Sequence, residues 1–328
     1  MHKQLLDHYY IELLDGSLAV VAGNWHTPFC VVSYVKYRPT NTNSIWFRKP
    51  YSYERLVKVY DPRIVYEHTS WTTFIPFFGS SVPCIPVSLI SKIYDPISRA
   101  LNLYQKASDP LERIALDLVH TISSSTGVLP GVTGSILVQI HNVNFSDIDI
   151  VVYGSRSCAD VVEFISSNKS VFQPLRNSAM EAWIKRASQS TELPKSEVLK
   201  FYRNWRRGVF AGREYSIAYS DGVYRDLHLL PSYSALGYVK AVVELRGDLT
   251  GLNYPPVGLV ERYKVIESRG TVSYDISYVM SYESLYTPGF YEGGLFEVSG
   301  ILQCSDMDET CRILVGVHEY KGYMMWLS

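Results

Sequence analysis

Asp147 and Asp149 stand one residue apart at the head of an aliphatic run, Ser146-Asp-Ile-Asp-Ile-Val-Val152. On an extended strand, side chains two apart project to the same face, so the carboxylates are expected to point together, with Cα atoms roughly 6–7 Å apart. Ile148 and Ile150 would then enter a core. Two like charges so placed repel each other unless a cation sits between them. Magnesium suits the pair, because it prefers carboxylate oxygens and phosphate partners. Upstream, Thr133-Gly134-Ser135 opens an apolar segment that includes Ile136, Leu137, Val138 and Ile140. It reads as a turn at a helix start, where backbone N–H groups attract anions. Gly134 lacks the Cβ that would hold a phosphate away, and the Ser135 hydroxyl can donate to a phosphate oxygen. A Gly-Ser pair alone is an ordinary turn, and an Asp-x-Asp alone an ordinary solvated strand end. The order of the two, with twelve residues from Ser135 to Asp147, suits a nucleoside triphosphate bound through magnesium.

Gly134-Ser135, a short spacer and Ser146-Asp-Ile-Asp149 resemble the signature of the DNA polymerase β-like nucleotidyltransferase superfamily. The longer string from Gly131 to Gly154 resembles a family of archaeal predicted nucleotidyltransferases, and Arg206-Arg-Gly-Val-Phe210 and Glu283-Ser-Leu-Tyr-Thr-Pro288 resemble later segments of that family. The superfamily likeness covers residues 105 to 225. It implies a two-metal transfer of a nucleoside monophosphate from a nucleoside triphosphate to a hydroxyl acceptor, such as an RNA end or a protein. Gly134 and Ser135 would hold the triphosphate. Asp147 and Asp149 would bind Mg2+ or Mn2+, which activates the attacking hydroxyl and neutralises phosphate charge. Members usually carry a third carboxylate on a neighbouring strand. Glu214 is the first choice, with Asp221 and Asp226 after it. The alternative is a non-catalytic nucleotide- or RNA-binding protein that retains the fold.

Between Lys195 and Arg213 lie six positive residues and the single acid Glu197. Arg206 and Arg207 are the members expected to hold triphosphate, with Lys200 and Arg203 beside them. The competing reading is a solvated basic helix face packed by Trp205 and Tyr202. His141, in the spacer, reads either as a nucleotide contact or as a hydrogen-bonded loop residue.

The elements that must position these groups define an α+β chain. Residues 1–100 are expected to be β-rich, residues 101–230 to form a small mixed-sheet nucleotidyltransferase core with helices, and residues 231–328 to be β-rich again, in a form that a small barrel would satisfy. In the first part, Ser17–Gly23 and Phe29–Tyr37 read as strands, with His26 and Trp25 as surface or packing residues at a hairpin tip. Tyr53–Tyr60 reads as a short helix, and the prolines at 62, 76, 83, 86 and 96 argue for extended structure. Asp109-Pro-Leu-Glu112 opens a helix whose Leu111, Ile114, Ala115, Leu118, Val119 and Ile122 share one face. Further helices are expected over 159–166, 178–186 and 195–206, and a strand over 213–219. Later strands are expected over 271–280, 295–302, 312–317 and 323–327.

The 328 residues are enough for two or three domains, and 47% hydrophobic with 19% charged excludes a mainly disordered chain. Net charge is −1, so any attraction to nucleic acid must be local. Five cysteines with no C-x-x-C pair argue against a zinc site, and the odd number argues against a disulfide framework. There is no apolar run of membrane-spanning length. The expectation is a reduced, cytoplasmic protein with no membrane partner.

Overall fold

The structure is a computed structural model and describes residues 4–57 and 62–327. The chain is α+β. At its centre is a four-stranded sheet with the spatial order Gly131–Val132, Ile148–Tyr153, Arg213–Ser220 and Arg207–Phe210. The 148–153 and 213–220 strands run parallel, and their neighbours are antiparallel. A parallel pair needs a long crossover, which here contains the helices Ser155–Ser167, Asn177–Thr191 and Lys195–Lys200. Period-two alternation sends Ile148, Ile150 and Val152, with Tyr215, Ile217 and Tyr219, into one core. The Pro110–Thr126 helix covers that core with Leu111, Ala115, Leu118, Val119 and Ile122. Asp109 caps it by accepting from the Leu111 and Glu112 N–H groups, and Gly127 closes it at φ 72°. A second helix, Pro96–Gln105, is capped by Asp95. It corrects the reading of that proline as a mark of extended structure, since a first-turn proline gives up no needed N–H.

The N-terminal part is an eight-stranded sheet in which Leu18–Val21 pairs with Cys30–Thr40, which in turn pairs with Tyr51–Arg55. That last strand corrects the expected helix over Tyr53–Tyr60, of which residues 58–60 lie outside the described residues. The cysteine expectation is also corrected. Cys30 bonds Cys84 between two paired strands, Cys304 bonds Cys311, and Cys158 alone is free and buried. Spacing could not reveal pairs that only strand register brings together.

In the C-terminal part the long strands Ser234–Arg246 and Val257–Ser268, which alternation did not reveal, pair with each other. With Ile276–Ser281, Thr310–Val315 and Gly294–Ser305 they close into a ring, because Gly294–Ser305 pairs back onto Ser234–Arg246. Tyr323–Trp326 adds to Gly294–Ser305. Trp183, Val198 and Phe201 pack on this sheet, so the crossover helices join the central and C-terminal layers. The strand expected over 271–280 is confined to Ile276–Ser281. The helix expected over 195–206 ends at Lys200. Beyond its end, side chains take backbone carbonyls: Arg203 donates to Lys200 O and Tyr202 O, Tyr215 to Asn204 O and Tyr219 to Trp205 O. The N- and C-terminal sheets share a further core containing Val32, Phe77, Phe78, Tyr233, Met280 and Leu314. Among the described residues, no helix is long and apolar enough to cross a membrane.

Candidate functional site

The 148–153 strand starts where the two acids lie. Its first residue, Ile148, is fully buried, while Asp149 is half-buried. Asp149 stands in a row that crosses the sheet. Its carbonyl accepts the Thr133 N–H at 2.9 Å, its register partner is Ser216, and the partner of Ser216 is Arg207. Paired residues in register share a face, so Asp149, Ser216 and Arg207 lie together on the side of the sheet away from the helices. The Ser216 hydroxyl donates to Asp149 Oδ1. Arg207 Nη1 lies 3.8 Å from Asp147 Oδ2.

The turn at Gly134 packs against this strand. Gly134 has φ +64°, and a Cβ there would collide with the Asp149 carboxylate. The glycine therefore both permits the left-handed backbone and lets the carboxylate close on the chain. Ser135 follows in the short Gly134–Leu137 helix, and its hydroxyl bonds no described residue. The turn is held from outside the motif: Thr133 Oγ1 donates to His8 O at 2.7 Å, Arg99 Nε to Ile136 O at 3.1 Å and Arg48 Nη1 to Val138 O at 3.3 Å.

The charge of Asp149, aided by burial, holds the Asp147 carboxyl above the usual carboxylate range, against the pull of Arg207 and Lys36. The donor set fits a divalent cation: two carboxylates lie together at one strand end, and Arg207 and Lys36 only partly offset the repulsion between them. Asp147 and Asp149 would be its protein ligands.

The other expected residues fall out differently. Glu214 lies two residues before Ser216 on the same face, at the strand start. Asp147, Asp149 and Glu214 do not draw their oxygens within 4.8 Å of one another. Asp221 lies past the opposite end of the strand and pairs with Arg225 at 2.6 Å, while Asp226 caps the turn at His228. Arg206 precedes the 207–210 strand, and Tyr219 on the core side is its main charge neighbour. Burial pushes its pKa down to about 10. Lys200 pairs with Glu197 and Arg203 with Glu292, so those two cations are spent. His141 bonds Asp109 Oδ2 at 2.8 Å, as a loop histidine would. Asp109, Glu112 and His141 form a cluster of metal-ligand types, but Arg99 already pairs with Glu112 and Asp109 already caps its helix. His26 is buried and accepts from Val32 N–H, and burial lowers its pKa to about 4.

Ser216, Lys36 and Arg55 escaped the sequence reading. The last two come from the N-terminal sheet, and both act electrostatically on the acid pair. Their one signal was a charged residue inside a strand-like run, as in Tyr34-Val-Lys36-Tyr37. Comparison with protein-family models, curated proteins and solved structures yields no match to this chain.

Proposed function

We propose that the protein is a nucleotidyltransferase that takes a nucleoside triphosphate with Mg2+ or Mn2+ at Asp147 and Asp149 and passes the nucleoside monophosphate to a hydroxyl acceptor, on RNA or protein. The observation that carries this reading is the Asp149 carboxylate seated against Gly134, with Asp147 beside it at the same strand end. The likeness of this stretch to the DNA polymerase β-like superfamily supports it.

In this reading the space at Gly134 takes the Asp149 carboxylate, and the Ser135 hydroxyl, which bonds no described residue, donates to a phosphate. Ser216 fixes the Asp149 carboxylate through Oδ1 and leaves Oδ2 to a ligand. Arg207 stands by Asp147 to oppose charge on the departing pyrophosphate. When bound, the divalent cation supplies neutralisation of the α-phosphate and acidification of the attacking hydroxyl. Glu214 is the nearest candidate to complete the ligand set from the adjacent strand.

A second reading is favoured by one observation. The residue directly beside Asp149 is a serine, and the three acids do not converge. On that basis the protein binds nucleotide or RNA and transfers nothing.

The test supplies labelled nucleoside triphosphates, Mg2+ or Mn2+ and candidate acceptors to wild type, Asp147→Ala and Asp149→Ala. Labelling by wild type that both variants lose supports transfer. Equal labelling in all three sinks it. Metal-dependent nucleotide binding without labelling selects the second reading.

A further inference from the structure

A groove of about 570 Å³ opens between the N-terminal sheet and the loop that joins the Gly134 turn to the Asp147 strand. One wall carries Asn43, Ile45 and Phe47, and the other His141, Asn142 and Asn144. The second wall begins and ends at the candidate site. Ile140, one residue before it, donates its N–H to Ser135 O at 3.0 Å. Ser146, whose Oγ accepts the Asn142 N–H at 2.9 Å, is bonded to Asp147. Both walls are held in place. Arg213 donates to Val143 O at 2.6 Å and to Asn144 O at 3.1 Å, and Asn142 Oδ1 accepts the Asn144 N–H at 2.9 Å. Opposite, Trp46–Arg48 pairs with Tyr51–Arg55, and Arg48 reaches across to Val138 O at 3.3 Å.

Among the described residues, no carboxylate, lysine or arginine lines this groove. Its groups suit a flat, neutral heterocycle with donors and acceptors on its edge. Phe47 and Ile45 are exposed and offer apolar faces, and Phe145, next after Asn144, is also exposed. An aromatic ring so placed stacks a base of any sequence. The side-chain amides of Asn43 and Asn144 bond no described residue, and each carries both a donor and an acceptor. His141 is engaged with Asp109 through Nε2, while its Nδ1 is buried with no partner among the described residues. A buried nitrogen left in that state is costly until a donor reaches it.

We infer that this groove is the base site of the nucleotide whose phosphates sit with the cation at Asp147 and Asp149. The base lies between Phe47 and the 141–145 loop, and the asparagine amides read its edge. This rests on the nucleotide reading above. It adds that the N-terminal sheet and the spacer loop, and not the basic segment, select the base. A polynucleotide backbone is the poorer occupant, because its phosphates would find no cation on either wall.

Photolysis of 8-azido-ATP with Mn2+ on the wild-type full chain, mapped by mass spectrometry, should mark peptides containing residues 43–52 or 141–145. Phe47→Ala should weaken ATP binding about fivefold or more, as expected for loss of a stacked ring. Its affinity for inorganic tripolyphosphate with Mn2+, which has no base, should stay unchanged and shows that the variant is folded. Asn43→Ala should alter the preference among the four nucleoside triphosphates. The base site is overturned if the azide marks only peptides outside both walls, an outcome that needs no variant to fold. It is equally overturned if Phe47→Ala binds ATP as wild type does. Hydrogen exchange in the 141–145 loop that single-stranded RNA slows and ATP does not would assign the groove to the acceptor and overturn it too. Failure of the underlying reading looks different: the azide then marks the groove equally in wild type, Asp147→Asn and Asp149→Asn, with or without EDTA.

Discussion

Ser216 stands directly beside Asp149 across two parallel strands, and its hydroxyl donates to Asp149 Oδ1. This contact holds one acid in place while its neighbour, Asp147, remains repelled by it.

The titration of Asp147 sets a pH dependence. Its folded pKa is raised, so the folded state holds this proton more tightly than the unfolded state does. The penalty is absent below the unfolded pKa, grows as pH rises toward the folded pKa and is complete above it. Asp147→Asn should therefore raise the melting temperature in EDTA at pH 7, and the gain should vanish near pH 3, about a unit below the usual Asp value. Mg2+ should stabilise wild type at pH 7 and lose that effect as the pair protonates. Differential scanning fluorimetry across pH, with EDTA or Mg2+, checks both.

Gly134→Ala puts a methyl group into the Asp149 carboxylate at a φ of +64°. The strained backbone and the displaced acid should together cost about 1–3 kcal/mol of stability. Metal and nucleotide binding should fall more than stability alone explains. Urea denaturation beside a Mn2+ titration separates the two effects.

Arg312 is fully buried and has no carboxylate partner among the described residues. It donates to Gln303 Oε1 at 2.8 Å, to Tyr278 OH at 3.1 Å and to Phe77 O, and its guanidinium lies 3.7 Å from the Tyr233 ring centroid. It thus ties the C-terminal barrel strands to the N-terminal sheet. Arg312→Ala should destabilise by about 3 kcal/mol or more, since it empties a packed site and orphans its acceptors. Arg312→Lys should rescue little, because an ammonium cannot reproduce the planar fork. Chemical denaturation of both variants measures the cost.

Reducing the disulfides should destabilise unequally. Cys30–Cys84 spans 54 residues and Cys304–Cys311 spans 7. Loop-closure entropy assigns about 4 kcal/mol to the first and about 2.5 kcal/mol to the second. Paired Cys→Ser variants, melted with and without reductant, should follow that order. Native protein should titrate slowly with a thiol reagent, because burial pushes the one free thiol, Cys158, up to about 12.

The central core was legible where local chemistry and burial agree. Asp109, Pro110 and Gly127 bound a helix by capping alone, residues 148–152 and 213–219 read as strands, and Ile148 and Ile150 could be assigned to a core. The helix expected to reach Arg206 stops at Lys200, and beyond it tyrosines on the 213–220 strand take the Asn204 and Trp205 carbonyls. The helix expected at Tyr53 is a strand because Tyr51–Arg55 has a partner in Cys30–Thr40. At Tyr51–Arg55 long-range strand pairing outweighed a local preference.

At the site, the sequence by itself determined the short-range part. A strand places residues two apart on one face, and a glycine before a serine marks a turn at a helix start, so Asp147, Asp149 and Gly134 could be named from spacing; the structure sets the Asp149 carboxylate where a phosphate was expected to approach Gly134. Only the tertiary structure decided what surrounds them. Register put Ser216, rather than Glu214, beside Asp149, and packing of the N-terminal sheet on the Gly134 turn brought Lys36 and Arg55 to the acids from about a hundred residues away. Charges act through space, and the sequence distance between these residues carries no trace of the distance at which they meet.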